Sequence, residues 1–239
     1  MKYTRPVFAA LVLLVTLGLC IALAQQPLFP VGGKPGQPPP PGPMSFFVTS
    51  VGNGDGANYG GLAGADAHCQ ALAKAAGRGD VTWRAYLSTQ GRDSVDARDR
   101  IGYGPWHNAR GEIVALNLAD LHGDVLDWAR VGNRINKQTA RDEKGQIIKG
   151  VGDTPNQHDI LTGSRSDGRG FVGEMDHTCN NWTSNASGSG SAEVGHHDKT
   201  GGPNGSWNSA HGSRGCSQAN LVETGGSGRL YCFAVRSLY

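Results

Sequence analysis

Several things are scarce in this chain, and each scarcity narrows what it does. It has no His-Glu-x-x-His string, no phosphate-binding P-loop and no dinucleotide-binding fingerprint in a strand-to-helix setting. The short motifs of metalloproteases, nucleotide hydrolases and dehydrogenases are therefore missing. No Cys-x-x-Cys pair occurs either, which argues against a zinc ribbon or a thiol-exchange centre. Charge of one sign is not in excess: 22 basic residues face 20 acidic ones. Nucleic-acid binding draws on a basic surplus to neutralise phosphates, so no nucleic-acid partner is expected. Serine chemistry is as thinly represented. Gly215-Cys216-Ser217-Gln218-Ala219 is the nearest string to a nucleophile elbow, and no strand–elbow–helix pattern surrounds it. The expectation is a protein without catalysis.

What is present begins with one long apolar run. Lys2 and Arg5 precede the uncharged stretch from Val7 to Ala24, which ends in Ala22-Leu23-Ala24. A basic start, an apolar middle and a small-x-small end mark residues 1–24 as a secretory signal peptide cut after Ala24. Eighteen uncharged residues are also nearly enough to span a bilayer, so an uncleaved anchor is the alternative and the one expected membrane contact. Cys20 follows Leu19 rather than a small residue, which argues against lipidation. Loss of the leader removes two bases and no acid, leaving 20 against 20.

Residues 25–44 read as a Pro/Gly-rich linker, with eight prolines between 27 and 44. Such composition gives a polyproline-II spacer or an ordinary tether. Its glycines do not recur at every third position, so it is not collagen. Residues 45–239 have the size of one domain with its own core. The stretch from Ser184 to Gly228 is rich in Gly, Asn and Ser and should be mostly loop. The expected location is secreted, periplasmic or at the cell surface.

Four cysteines remain beyond the leader: Cys69, Cys179, Cys216 and Cys232. An even number in an exported chain argues for two disulfides, and spacing alone allows three connectivities. Leu62 to Ala76 reads as a helix with Ala65, Cys69, Leu72 and Ala76 on one face and Gly77 as its stop. Tyr231 to Val235 reads as a strand. A Cys69–Cys232 bridge would pin that helix to that strand, and Cys179–Cys216 would close the glycine-rich segment between them.

The residues also carry a family likeness. Phe46-Phe47-Val48-Thr49-Ser50, then Gly60 to Cys69, then Trp83-Arg84-Ala85-Tyr86-Leu87-Ser88, resemble the start of an endostatin-like domain. Ile160 to Ser164, Thr178 to Thr183, Gly215-Cys216 and Gly228 to Cys232 continue the likeness, which covers most of residues 46–236 and is weaker from Gly91 to Asp153. The bacterial branch, including leptospiral endostatin-like proteins, is the most similar. The resemblance implies an α+β, C-type-lectin-like fold: a mixed sheet with flanking helices, long loops, paired first and last strands, and the two nested bridges named above. It implies binding to matrix proteins, host proteins or glycans.

Two of the family's metal sites do not carry over. Thr154-Pro155-Asn156 and Trp207-Asn208-Ser209 stand where related lectins have calcium triplets, and each lacks a metal-binding side chain of that motif. Vertebrate endostatins bind zinc near the domain start, and no histidine lies between Met44 and Ala67 here. No cofactor is expected. Zinc or calcium would be the ions to test. The strongest local cluster of metal-ligand types, suited to zinc or copper, is His196, His197 and Asp198, with His177 and His211 in the same segment. Asn53-Gly54-Asp55-Gly56 lacks the spaced acids of a calcium loop and reads as a glycine turn. Trp83 and Trp182 are expected in the core. Trp207, Asn208 and Asn156 are candidate ligand contacts, with Trp207 alternatively a loop anchor. The recognition end would comprise Val151–Gly168 and Cys179–Cys216, since loops on a rigid scaffold carry binding. A structural envelope role and a metal-dependent enzyme are the rival readings.

Overall fold

Ten residues near the end of the chain organise the molecule. The computed structural model describes Met1 and residues 41–123, 133–201 and 205–235. Residues 2–24 of the expected signal peptide and residues 25–40 of the expected linker lie outside the described residues, as does Trp128. Strand β8 (Gly226–Val235) has alternating faces. Leu230, Cys232 and Ala234 enter one core, and Tyr231 and Phe233 enter another. Both faces are covered from Leu230 onward, so residues 230–235 read as a continuous apolar run.

One edge of β8 pairs with β1 (Phe46–Val48), with Phe47 opposite Cys232. Its other edge is shared end to end. β5 (Asp159–Leu161) runs parallel along Gly226 to Leu230, and β2 (Thr82–Ala85) runs antiparallel along Cys232 to Val235. β6 (Glu193–His196) and β7 (His211–Gly212) extend the sheet beyond β5 in the order β1-β8-β5-β6-β7. β3 (Trp106–His107) and β4 (Ile113–Ala115) form a separate ribbon. The sheet is mixed, and the expected pairing of first and last strands is present.

Helix α1 (Gly61–Ala75) lies on the face of Leu230 and Cys232, burying Ala65, Cys69 and Ala73. The buried stripe runs at i, i+4 and i+8, so Ala73 takes the place the sequence assigned to Ala76, which is exposed, while Leu72 is half-buried. Gly77 follows in the left-handed region at φ 77°, as a helix stop requires. Asp66 on this helix accepts from Ala85 N at 2.9 Å and, through both carboxylate oxygens, from Nη2 of the buried Arg100 at 2.7 and 2.8 Å. Helix, strand and the short helix Ala97–Arg100 are thereby joined.

The bridges are Cys69–Cys232 and Cys179–Cys216, and such pairs suit an oxidising compartment. The second one ends a turn of unusual hand. Cys179, Asn180, Asn181 and Trp182 all have positive φ, from 49° to 68°, making one left-handed turn of non-glycine residues. Each such residue costs about 1–2 kcal/mol in that conformation. Offsetting contacts surround it. Asp176 accepts from Thr178 N and Asn180 N, Asn181 exchanges hydrogen bonds with the Gln90 backbone, and Trp182 Nε1 donates to Ser88 O at 2.8 Å. Trp83 and Trp182 are core residues.

Two expected segments need correction. The end of the linker packs on the domain: Gly42 N donates to Gly111 O at 3.1 Å and Met44 is buried in the first core. Val151–Gly168 is not one loop, because Asp159, Ile160 and Leu161 are a buried strand between β8 and β6. No helix among the described residues is long and apolar enough to cross a membrane.

Candidate functional site

Three neighbouring strands bring histidines to one carboxylate. Antiparallel register sets Asp159 of β5 opposite His196 of β6, and Val194 of β6 opposite His211 of β7. Residues two apart on a strand share a face, so Asp159, His196 and His211 stand together, and His158 turns in from the residue before β5. Asp159 Oδ1 lies 3.2 Å from His158 Nε2, 3.3 Å from His196 Nε2 and 3.6 Å from His211 Nε2. Asp159 is 3% exposed and His196 2%, while the His211 side chain is 38% exposed and forms the solvent side. The His158 and His196 rings stack at 4.0 Å.

These contacts are within ion-pair range but off hydrogen-bond alignment. Among the described residues, neither Asp159 oxygen and neither His196 ring nitrogen has a hydrogen-bond partner. Burial pushes the Asp159 carboxyl up, but His196, His211 and His158 outweigh it and hold the group below its ordinary value. Asp159 in turn raises His211, against the opposing effect of burial.

Outer contacts orient two of the imidazoles. His158 Nδ1 donates to Asp198 Oδ1 at 3.2 Å, and His211 Nδ1 donates to Gly212 O at 3.2 Å. In both rings Nδ1 carries a proton, and Nε2 is the nitrogen that faces Asp159. Asp198 also accepts from Val151 N at 2.8 Å and Thr200 N at 3.1 Å. Burial would raise this carboxyl, yet those bonds hold it well below the usual carboxylate range, so it is ionised.

The cluster named from sequence is thus redistributed. His196 belongs to the site. His197 points the other way, donating Nε2 to Lys149 O at 3.2 Å, and burial pushes its imidazole down to about 4. Adjacent strand residues face opposite sides, which is why neighbours in sequence part here. Asp198 acts on His158 from behind. His177 stacks on Phe171 at 3.8 Å and faces Glu193. His158 and Asp159 were missed, because only strand register sets them opposite His196; the signal was an acid beside a histidine at the head of Ile160-Leu161.

Trp207 and Asn208 border a cleft of about 470 Å³ that also includes Ser166, Asp167, Lys199 and Ser206. Trp207 is 4% exposed, packed against Tyr86 and Tyr231, with Nε1 donating to Leu121 O at 3.1 Å. It presents little face to solvent. Asn208 Nδ2 donates to Tyr86 Oη, Arg165 O and Ser166 O at 2.9–3.2 Å, so it ties the cleft walls together. Lys199 holds φ 54° and its Nζ donates to Asn133 Oδ1 at 2.6 Å. Asn156 is half-buried away from this cleft lining, in the loop leading to His158. Gly195 lets the Trp207 backbone approach β6: a Cβ there would sit 1.9 Å from Trp207 O.

Other candidate motifs resolve into structure. Asn53 to Gly56 is a turn closed by Asn53 Oδ1 accepting from Asp55 N at 2.9 Å. Ser217 caps the helix Gln218–Glu223, accepting from Asn220 N at 3.2 Å, beside the bridged Cys216. Gly168, Gly170 and Gly173 have fingerprint-like spacing, but residues 165–175 hold no helix.

The fold and bridges define a disulfide-stapled mixed α/β domain. Neither protein-family models nor curated protein sequences match this chain.

Proposed function

We propose that this chain is an exported or surface-tethered binding module with an endostatin-like, C-type-lectin-like domain, acting on extracellular protein or glycan ligands without catalysis. Supporting the fold reading are the β1–β8 pairing and the nested bridges Cys69–Cys232 and Cys179–Cys216. Supporting the binding reading is the cleft of about 470 Å³, where Ser166 and Asp167 meet Lys199, Ser206 and Asn208 from the loops after β6. Its walls are held by buried hydrogen bonds, and a pre-formed concavity with convergent polar groups suits a hydroxyl-rich or polar ligand.

The test uses the full chain with both disulfides intact, screened against glycans, matrix proteins and serum factors, with calcium and with a chelator. The expected result is saturable binding that survives chelation and falls at least tenfold in Ser166→Tyr, which fills the cleft, and in Asp167→Ala. Silence across the panel, or binding that neither substitution changes, overturns the reading.

A further inference from the structure

We propose that His158, Asp159, His196 and His211 form a binding site for a zinc-class divalent cation. The first argument is distance. A tetrahedral ion with bonds of about 2.0–2.1 Å to imidazole and carboxylate spaces its ligand atoms about 3.3 Å apart. The three Nε2 atoms stand 3.2, 3.3 and 3.6 Å from Asp159 Oδ1. One ligand atom from each of His158, Asp159 and His196 falls within 4.8 Å of the others, and these three form the core of the site. His211 lies outside that spacing, reaches the group through Asp159 at 3.6 Å and closes on the ion from the exposed side.

The second argument is electrostatic. With their Nδ1 protons donated elsewhere, His158 and His211 present Nε2 to an anionic oxygen. In the neutral ring that nitrogen is a lone pair facing an anion, and a cation between them turns the contact into bonding. Protonating every ring would instead place imidazolium on imidazolium, with His158 and His196 stacked at 4.0 Å. Buried polar atoms normally have partners, yet among the described residues Asp159 Oδ1, Asp159 Oδ2, His196 Nδ1 and His196 Nε2 have no hydrogen bond.

The third argument is the outer shell. A ligating histidine donates its other nitrogen to a carboxylate or carbonyl, which fixes its tautomer. Asp198 does this for His158 and the Gly212 carbonyl does it for His211. Three imidazoles and one carboxylate favour zinc, cobalt or copper over calcium, which prefers six or more oxygens. The half-exposed His211 gives the ion its route from solvent.

Untagged full chain with both disulfides intact is stripped with chelator and titrated with Zn²⁺ by calorimetry. We expect one tight equivalent, a rise in Tm because the ion binds the folded state, and visible bands of a tetrahedral site with Co²⁺. His211→Ala, at the exposed edge, should weaken zinc at least tenfold while leaving the metal-free circular dichroism and a cooperative melt in place. Asp198→Asn should weaken it about 10–100-fold through the His158 tautomer. Asp159→Asn should abolish stoichiometric binding. Three results overturn the proposal: no zinc binding with no Tm response, octahedral Co²⁺ bands only, or wild-type zinc affinity in His211→Ala.

Discussion

Glu193 shows how one buried charge sets a pH response. Its carboxylate is buried on β6, accepting from Ser209 Oγ at 3.2 Å and lying 3.7 Å from His177 Nδ1. Burial raises its carboxyl, and the Ser209 bond and the nearby His211 only partly oppose that. The folded state therefore holds this proton more tightly than the unfolded chain. Its contribution favours folding at low pH and is lost as pH rises through the raised value. Glu193→Gln keeps an acceptor for Ser209 and removes the charge. The variant should melt higher than wild type at pH 8, where His177 is neutral, and the gap should close by pH 4. Each kcal/mol relieved is worth about 2–4 °C in a chain of this size. An equal gap at both pH values would rule out the buried charge as its source. None of this was readable beforehand, because a glutamate in a glycine-rich stretch reads as surface until strand pairing buries it.

Single elements differ in how openly the sequence declares them. Helix α1 was legible because Ala65 and Cys69 fall on one face and Gly77 ends it, although the sequence continued that face to Leu72 and Ala76 where the structure buries Ala73. Strands β5 and β6 were hidden. Each is three or four residues long, and every residue is buried on both sides, so no alternation marks them. The left-handed turn at residues 179–182 had no signal beyond two asparagines, the residues that best tolerate that conformation after glycine. Asn180 is exposed there, and its side chain makes one bond, Nδ2 donating to Thr183 Oγ1 at 2.9 Å, which Gly and Val both lose, so comparing those two variants isolates the backbone cost. Asn180→Gly should be neutral or stabilising by up to about 1 kcal/mol, and Asn180→Val should destabilise by about 1–2 kcal/mol. Thermal melts of the pair decide it, and equal stability of the two would contradict the strained turn.

Across the whole molecule, the two bridges act on different parts. Cys69–Cys232 closes a separation of 163 residues and ties α1 to the strand at the sheet's centre. Cys179–Cys216 spans 37 residues and holds the left-handed turn to the segment before the last helix. Chain entropy alone assigns about 5 and about 4 kcal/mol to them. The consequences should diverge further. Cys69→Ser with Cys232→Ser should prevent cooperative folding at 37 °C, whereas Cys179→Ser with Cys216→Ser should leave a folded sheet with a lower Tm. Near-ultraviolet circular dichroism separates the two, and a cooperative native-like melt in the first variant would refute the assignment. The existence of two bridges was readable from the even cysteine count, and the first and last strands from their apolar runs. Cysteine spacing alone left three connectivities, which the helix at Cys69 and the strand at Cys232 narrowed. The histidine–aspartate site was not, because it exists only across three strands whose register no local pattern reveals.

The central place of β8 also bears on how the protein is made. Synthesis runs from the N-terminus, so β1, β2 and β5 emerge before the strand all three share. Until residues 226–235 leave the ribosome, those segments have no common partner and Cys69 carries a free thiol. The first bridge partner Cys69 meets in order of emergence is Cys179, not Cys232. A mispaired Cys69–Cys179 intermediate is therefore the error that vectorial synthesis invites. Its repair runs through thiolate exchange, which makes correct maturation of this domain depend on access to a disulfide isomerase.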